Sequence, residues 1–366
     1  HDIVLSFRRE STYMVNFEFL VPTKVVFGRD AELKTGAIVK EYGGHKVLIH
    51  WGGDYVRATG LLDRIENSLI KEGLKYVELD GVIPNPRLSL VKKGVQLCKK
   101  EGVDFILAIG GGSAIDSSKA IAYGIANDFA LEDLFLGKVT TDKIAKIGAI
   151  STLAGTGSET SNSAVIDIDT KGAKILKRSY NHECARPLFA ILNPELTYSV
   201  PAYQTAAPGA DIMMHTIERY FTTERHVELT DELSEGLLRT VKVMVPEALN
   251  HPDSYTARGN LLWAGSLSHN GLMGTGRIGD FACHAIEHEI GAMFDVAHGA
   301  GLTAIWSSWA KYVIQIDPER FAQFAVNVWG IRNDFHDPMT TGLRGIEAWD
   351  QWCHSIGMPT NLHELR

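Results

Sequence analysis

At 366 residues, 45% apolar and 22% charged, the chain is too long for one small domain and too apolar for disorder, so two packed domains are expected. Its 36 Lys plus Arg against 44 Asp plus Glu give a net charge of -8 with no basic block, which argues against a nucleic-acid partner. Apolar runs of strand length argue against a membrane span, and Cys98, Cys184, Cys283 and Cys353 are too scattered for a CxxC site or a disulfide framework, so the expected setting is the reducing cytoplasm.

His1 to Tyr13 show neither a basic start with an apolar core nor a small-residue cleavage site, and are set aside as a remnant foreign to the fold. Met14 to Phe19 alternate apolar and polar residues and predict a first strand. From Lys46 onward strand-length runs (KVLIHW, YVELDGV, DFILAIG) alternate with amphipathic helical stretches (GLLDRIENSLIKEG, LSLVKKGVQLCKKEG), the pattern of a parallel sheet covered by helices. Beyond Pro194 the β-rich runs stop. Pro201, Pro208, Pro246 and Pro252 punctuate helical patterns such as ADIMMHTIERYF and DELSEGLLRTVKVMV. The division predicted is an α/β domain over residues 14–193 and a helical domain over 194–366, with the functional cleft between them.

Two turns in the first half carry chemistry. Gly110-Gly111-Gly112-Ser113 joins strand DFILAIG to helix SAIDSSKAIAYGIA, and its backbone can approach a pyrophosphate at the positive end of the helix. The same residues also fit a simple tight turn, with Ser113 as N-cap and Asp116 completing the cap; the two readings are compatible. Ser151 to Asn162 interleaves hydroxyls with glycine after the strand IAKIGAI, offering donors to a ribose or phosphate.

In the second half, Asp211 and His215 lie four apart, His284 and His288 repeat that spacing, and His298 follows. Imidazole plus carboxylate is the ligand mixture of Zn(II) or Fe(II), and donors from two or three helices can close on one ion. A rival reading of His284-Ala285-Ile286-Glu287-His288 is the HxxEH motif of inverted-motif zinc proteases, but that leaves the glycine turn, Asp211 and His215 without a use. Met213, Met214, Met273, Phe281 and Phe294 suggest an apolar substrate wall, although residues at such spacing are more often core.

Taken together, GGGSAIDSSKAIA, STLAGTGSETSN, NPELTYSVP, APGADIMMHTIERYF and CHAIEHEIGAMFDVAHGAGL resemble the iron-containing alcohol dehydrogenase family, in particular its butanol dehydrogenase branch, from about Asn16 to the C-terminus. The resemblance implies a Rossmann-like nicotinamide-binding α/β domain and an all-α metal-binding domain, the dehydroquinate synthase-like architecture. It places the metal ligands on Asp211, His215, His284 and His298, and a cleft histidine near the nicotinamide, a candidate proton carrier, on His288. It implies cofactor contacts at Gly111, Gly112, Ser113, Asp116, Thr152, Leu153, Asn162 and Lys174; Lys174 also reads as a solvated lysine in a polar turn.

Where relatives tend to have glycines then serine, this chain has Gly52-Gly53-Asp54; a carboxylate there favours the free 2′-hydroxyl of NAD over the 2′-phosphate of NADP, with Arg57 leaning the other way. The chain also ends at Arg366, where the family usually continues with another helix or two. The activity implied is hydride transfer between NAD(P) and a short-to-medium-chain alcohol or aldehyde, with a divalent metal, Fe2+ or Zn2+. A polyol (glycerol-type) dehydrogenase, a metal-dependent sugar-phosphate lyase and a non-catalytic binding protein are the alternatives. A homodimer is expected on base rates.

Overall fold

The computed structural model describes residues 13–169 and 175–365. The first half contains β1 (Lys24–Phe27), α1 (Thr35–Glu41), β2 (Lys46–Trp51), α2 (Tyr55–Ala58), α3 (Leu61–Lys71), β3 (Lys75–Leu79), α4 (Leu88–Glu101), β4 (Phe105–Gly110), α5 (Gly112–Ala126), α6 (Leu131–Phe135), β5 (Lys146–Ser151), β6 (Ser163–Asp169), β7 (Ile175–Asn181) and β8 (Phe189–Leu192). Six of these strands form one parallel sheet in the order β1-β8-β5-β4-β2-β3, while β6 and β7 pair antiparallel as a separate ribbon.

The sheet is covered on both faces, which explains its near-continuous apolar strands. Alternation sends Phe105, Leu107 and Ile109 of β4 into one layer with Ile38, Leu62 and Ile65 of α1 and α3. Ile106 faces the other layer, with Val91 of α4 and Ile121 of α5. From β2 the chain runs outward to β3 and then returns to form β4 on the opposite side of β2, so a topological switch point lies between β2 and β4. Ligands of open α/β sheets bind beyond the strand ends at such a point.

The second half is α7 (Ala202–Tyr220), α8 (Glu228–Asn250), α9 (Tyr255–His269), α10 (Ala282–Phe294), α11 (His298–Val313), α12 (Pro318–Trp329) and α13 (Pro338–Ser355). Its core gathers Met213, Met214, Tyr220, Trp306, Phe324 and Trp349. Helix α7 packs against α8, α9 and α11, and α10 bridges α11 and the β7 ribbon of the first half. Among the described residues no helix is long and apolar enough to cross a membrane, and all four cysteines are free.

Two sequence expectations are corrected here. Met14 to Phe19 is not a strand: Val15 N–H donates to the Gly276 carbonyl, and Phe17 and Phe19 are exposed. Alternation supplies two faces, but a strand also needs ladder bonds to a neighbouring strand, and this segment instead bonds the helical half through Val15 N–H and the Gly276 carbonyl. Pro208 and Pro246 do not punctuate helices but lie inside α7 and α8. Pro208 is accommodated where Gly155 lacks a side chain, since a Cβ there would come within 2.5 Å of the Pro208 Cβ.

Candidate active site

Helix α7 lies almost wholly inside the core, so its polar residues must find partners there. Asp211 and His215 share one face of it. On α10, His284 and His288 repeat the spacing, and His298 opens α11 after the left-handed Asp295 ends α10. Packing brings the three helices together so that Asp211 Oδ1 lies 3.6 Å from His215 Nε2, 3.5 Å from His284 Nε2 and 3.8 Å from His298 Nε2. These separations are too long for strong hydrogen bonds. One donor atom each of Asp211, His284 and His298 lies within 4.8 Å of the other two, close enough to share one ion, and His215 Nε2 adds a further donor beside Asp211.

The outer nitrogens fit the same purpose. His284 Nδ1 bonds the Glu218 carboxylate and His298 Nδ1 bonds the Glu287 carboxylate, which leaves each Nε2 as a lone-pair donor turned to the centre. Asp211 Oδ1 and His284 Nε2 are buried and without a hydrogen-bond partner among the described residues. Orphaned buried polar atoms on such a donor set are what a cation would satisfy, so the residues fit a divalent metal.

The electrostatics agree. Burial would push the Asp211 carboxyl up, but the surrounding imidazoles, His215 first, hold it well below the usual carboxylate range. Burial drives His215 well below the ordinary imidazole value. Burial opposes charge on His284 too, yet the Asp211 and Glu218 carboxylates outweigh it and lift that group to about 9. The centre thus calls for positive charge.

His284, His288 and His298 line a cleft of about 510 Å³ together with Gly112, Ser113, Asp116 and Asn162. Burial, and then the charges on His298 and Lys177, lower His288 to about 3. Gly111, not Ser113, is the N-cap of α5, and Asp116 does not cap: it accepts from Ser158 Oγ at 2.5 Å and Val165 N–H at 3.1 Å. A Cβ on Gly112 would fall 2.4 Å from Thr156 Oγ1, and one on Gly111 2.9 Å from Leu153 Cδ2, so the turns after β4 and β5 nest only because both residues are glycine.

Thr152 and Leu153 sit at that nest rather than in the cleft lining, with Thr152 Oγ1 2.8 Å from Tyr55 OH. Gly52, Gly53 (φ +84°) and an exposed Asp54 form the turn after β2, across the switch point from Gly111. Arg57 is engaged elsewhere: it bonds Glu78 at 2.6 Å and covers the Trp51 ring. Lys174 lies outside the described residues.

Several cleft residues were missed by sequence reasoning. Lys177 on β7 lines the cleft, 3.5 Å from Glu287. Arg219 and His269 also line it, and the signal for Arg219 was available, since it extends the Asp211–His215 spacing by another four residues. The apolar wall is corrected: Met213, Met214 and Met273 are core, Phe294 is exposed, and of the five only Phe281 lines the cleft. Because α7 is enclosed on every side, its methionines fill faces turned away from the ligand set. The HxxEH reading also gives way, because Glu287 is fully buried, does not line the cleft and turns Oε2 to His298 Nδ1, so it does not face a substrate as a general base would.

Profiles of known families match both halves: "Iron-containing alcohol dehydrogenase" over residues 22–194 and "Fe-containing alcohol dehydrogenase family, C-terminal" over residues 205–366. The chain belongs to the iron-containing alcohol dehydrogenase family. Within that family it is 38% identical to NADH-dependent butanol dehydrogenase A of Clostridium acetobutylicum, over 96% of this chain and 90% of the relative. It is 32% identical to the NADPH-dependent aldehyde reductase YqhD of Escherichia coli, over 96% and 89%. The crystal structure of NADH-dependent butanol dehydrogenase A from Thermotoga maritima superposes with a TM-score of 0.92 at 37% identity, covering 96% of this chain and 87% of that one. The iron-containing alcohol dehydrogenase fold is therefore shown, and the donor set described above suits the metal for which the family is named.

Proposed function

We propose that the protein is a metal-dependent alcohol dehydrogenase and aldehyde reductase, acting on a primary alcohol or aldehyde with NAD in preference to NADP. In this reading residues 14–193 hold the dinucleotide and residues 194–366 the metal and substrate. The observation that carries it is the convergence of three imidazole nitrogens on one buried carboxylate oxygen, in the same cleft as the glycine turn at the head of α5. When bound, the metal supplies a Lewis acid for the substrate oxygen and the nicotinamide accepts or donates the hydride.

The chain's own groups do the rest. Asp211, His215, His284 and His298 hold the ion, and Glu218 and Glu287 fix the orientation of two of those imidazoles. Gly111, Gly112 and Ser113 receive the pyrophosphate at the positive end of α5. Asp116 and Lys177 line the same cleft as that turn and the histidines, and Lys177 is a cation available there to the cofactor. His288 lines the cleft and makes no hydrogen bond among the described residues, so its free ring nitrogens place it as the candidate group to relay the alcohol proton.

The preference for NAD rests on Asp54, whose carboxylate accepts from a free ribose hydroxyl and repels a phosphate, and on Arg57 being held by Glu78. Butanal reduction with NADH and with NADPH, after metal analysis of the purified protein, tests the reading. Stoichiometric iron or zinc and a preference for NADH of at least about tenfold are expected; a metal-free protein with full activity would end it.

A further inference from the structure

Resting on the dehydrogenase reading for its reactive end, the cleft carries a second recognition element. Arg219 follows His215 by one turn of α7, and its Nη1 donates to the His215 carbonyl at 2.7 Å and the Ser268 carbonyl at 3.2 Å. Its Nη2 donates to His269 Nδ1 at 3.2 Å. That uses three of the five N–H donors of a guanidinium, and among the described residues the other two have no acceptor. Among the described residues no carboxylate pairs with it directly, although the negative charge of Glu218 favours the positive charge of Arg219. Glu218, its neighbour in sequence, is committed to the Cys283 N–H at 2.6 Å and to His284.

Arg219 is half-buried, and its two unused donors are open to a ligand or to water. Of the fully buried arginines elsewhere in the chain, Arg186 pairs with Glu183 at 2.7 Å, and Arg277 and Arg320 each pair with Asp231 at 2.6 Å. Arg258 also lacks a carboxylate, but it donates to the Pro252 carbonyl and Thr205 Oγ1, away from this cleft. Arg219 differs because it lines the cleft itself. The Phe281 ring lies 4.5 Å from its central carbon and holds the guanidinium plane. His269 completes the element: a guanidinium can only donate, so Nδ1 of His269 accepts and its remaining proton sits on Nε2, a further donor in the cleft wall.

We propose that Arg219 and His269 form an anion subsite, and that the preferred substrate is an aldehyde or alcohol bearing a carboxylate at the end remote from the reacting carbon. The spacing sets its length. The bond from Arg219 back to the His215 carbonyl folds the side chain toward the ligand end of α7. The His269 ring lies 4.1 Å from the His215 ring, which lies 4.7 Å from the His284 ring. The subsite therefore lies one ring beyond the ligand candidate His215, so the substrate it suits is a short chain with its anion a few bonds from the reacting carbon.

The test compares two four-carbon aldehydes that differ only in the terminal group, butanal and 4-oxobutanoate, with NADH and the metal-loaded full chain. The wild-type protein is expected to show kcat/KM for 4-oxobutanoate at least about tenfold above butanal. In Arg219→Met that ratio is expected to fall by at least about 30-fold, with Arg219→Lys intermediate because it keeps charge but not the planar fork. Calorimetric titration with 4-hydroxybutyrate and with 1-butanol gives a second readout that needs no turnover.

A wild-type ratio of one or below overturns the subsite while leaving the dehydrogenase reading intact. An equal loss for both aldehydes in Arg219→Met also overturns it, since that is what a purely structural arginine would give. Tight, Arg219-dependent binding of 4-hydroxybutyrate without turnover of either aldehyde supports the subsite and instead removes the dehydrogenase reading. Should Arg219→Met fail to fold, the wild-type ratio and Arg219→Lys still decide.

Discussion

Glu218→Gln isolates the orienting role of a carboxylate behind His284, the imidazole proposed to hold the metal. Glu218 accepts from His284 Nδ1 and from the Cys283 N–H at 2.6 Å, at the first turn of α10. Glutamine keeps the shape and one acceptor oxygen, but its amide hydrogens face one of those two donors and the negative charge is gone. Hydrogen bonds to a charged group are worth about 1.5–3 kcal/mol and neutral ones about 1 kcal/mol, so two weakened bonds cost about 2 kcal/mol of orientation, roughly a 30-fold loss of metal affinity. That lies within the 10- to 100-fold range typical of such outer partners, taken as about that order here. The assay is competition for Zn(II) or Fe(II) against a chelator of known strength, read by elemental analysis of the separated protein. Glu289→Gln is the control, because Glu289 is exposed and meets only Arg178 at 3.2 Å. Glu218→Gln protein that stays folded and binds metal within about threefold of wild type would show that the carboxylate does not support the ligand as argued.

Three further outcomes follow from the buried contacts of the protein. His50 is buried, with Nδ1 2.8 Å from the Leu79 carbonyl and Nε2 2.7 Å from Ser117 Oγ, and burial lowers it to about 4. Between about pH 6.5 and 4 the unfolded chain binds a proton the folded chain refuses, so stability falls as pH drops, by about 3 kcal/mol; urea melts of wild type and His50→Gln with identical pH slopes would refute this. Asp231 holds both Arg277 and Arg320 at 2.6 Å, so Asp231→Asn should lower unfolding free energy by about 3 kcal/mol in the same melts, and a change below about 1 kcal/mol would show the network to be dispensable. Gly112→Ala sets a Cβ 2.4 Å from Thr156 Oγ1, and NADH affinity measured by fluorescence should drop at least about tenfold; unchanged affinity would place the pyrophosphate elsewhere.

What the sequence disclosed was whatever a single element's period encodes. The strand runs from Lys46 to Ser151 and the four-residue spacing of Asp211–His215 and His284–His288 depend on one strand or helix alone, and the structure reproduces them. Facts that depend on the neighbour of an element were not legible. The alternation of Met14 to Phe19 is as good as that of a strand, but the segment bonds the helical half at Gly276 and not a sheet neighbour. Met213 and Met214 flank the ligand face of α7, yet only packing reveals that α8, α9 and α11 enclose the helix on its other sides. Lys177 reaches the cleft because β7 lies against α10, a pairing of segments more than a hundred residues apart in sequence and so invisible to local pattern.

The charges around the cleft divide the work between its two ends. Asp211, Glu218 and Glu287 place three buried carboxylates within or directly behind the histidine set, and Lys177 answers only one of them, at 3.5 Å from Glu287. Desolvated anions in that number require a compensating cation, so the histidine end is selective for positive charge. Beyond His215 the sign reverses: Arg219 forms no direct ion pair among the described residues, and Glu218, whose charge favours it, spends its hydrogen bonds on α10. A neutral substrate would leave that reversal without a purpose, whereas one with a polar reactive end and a negative far end matches both ends at once. The polarity of the cleft, more than its volume, is therefore what should decide which aldehydes it accepts.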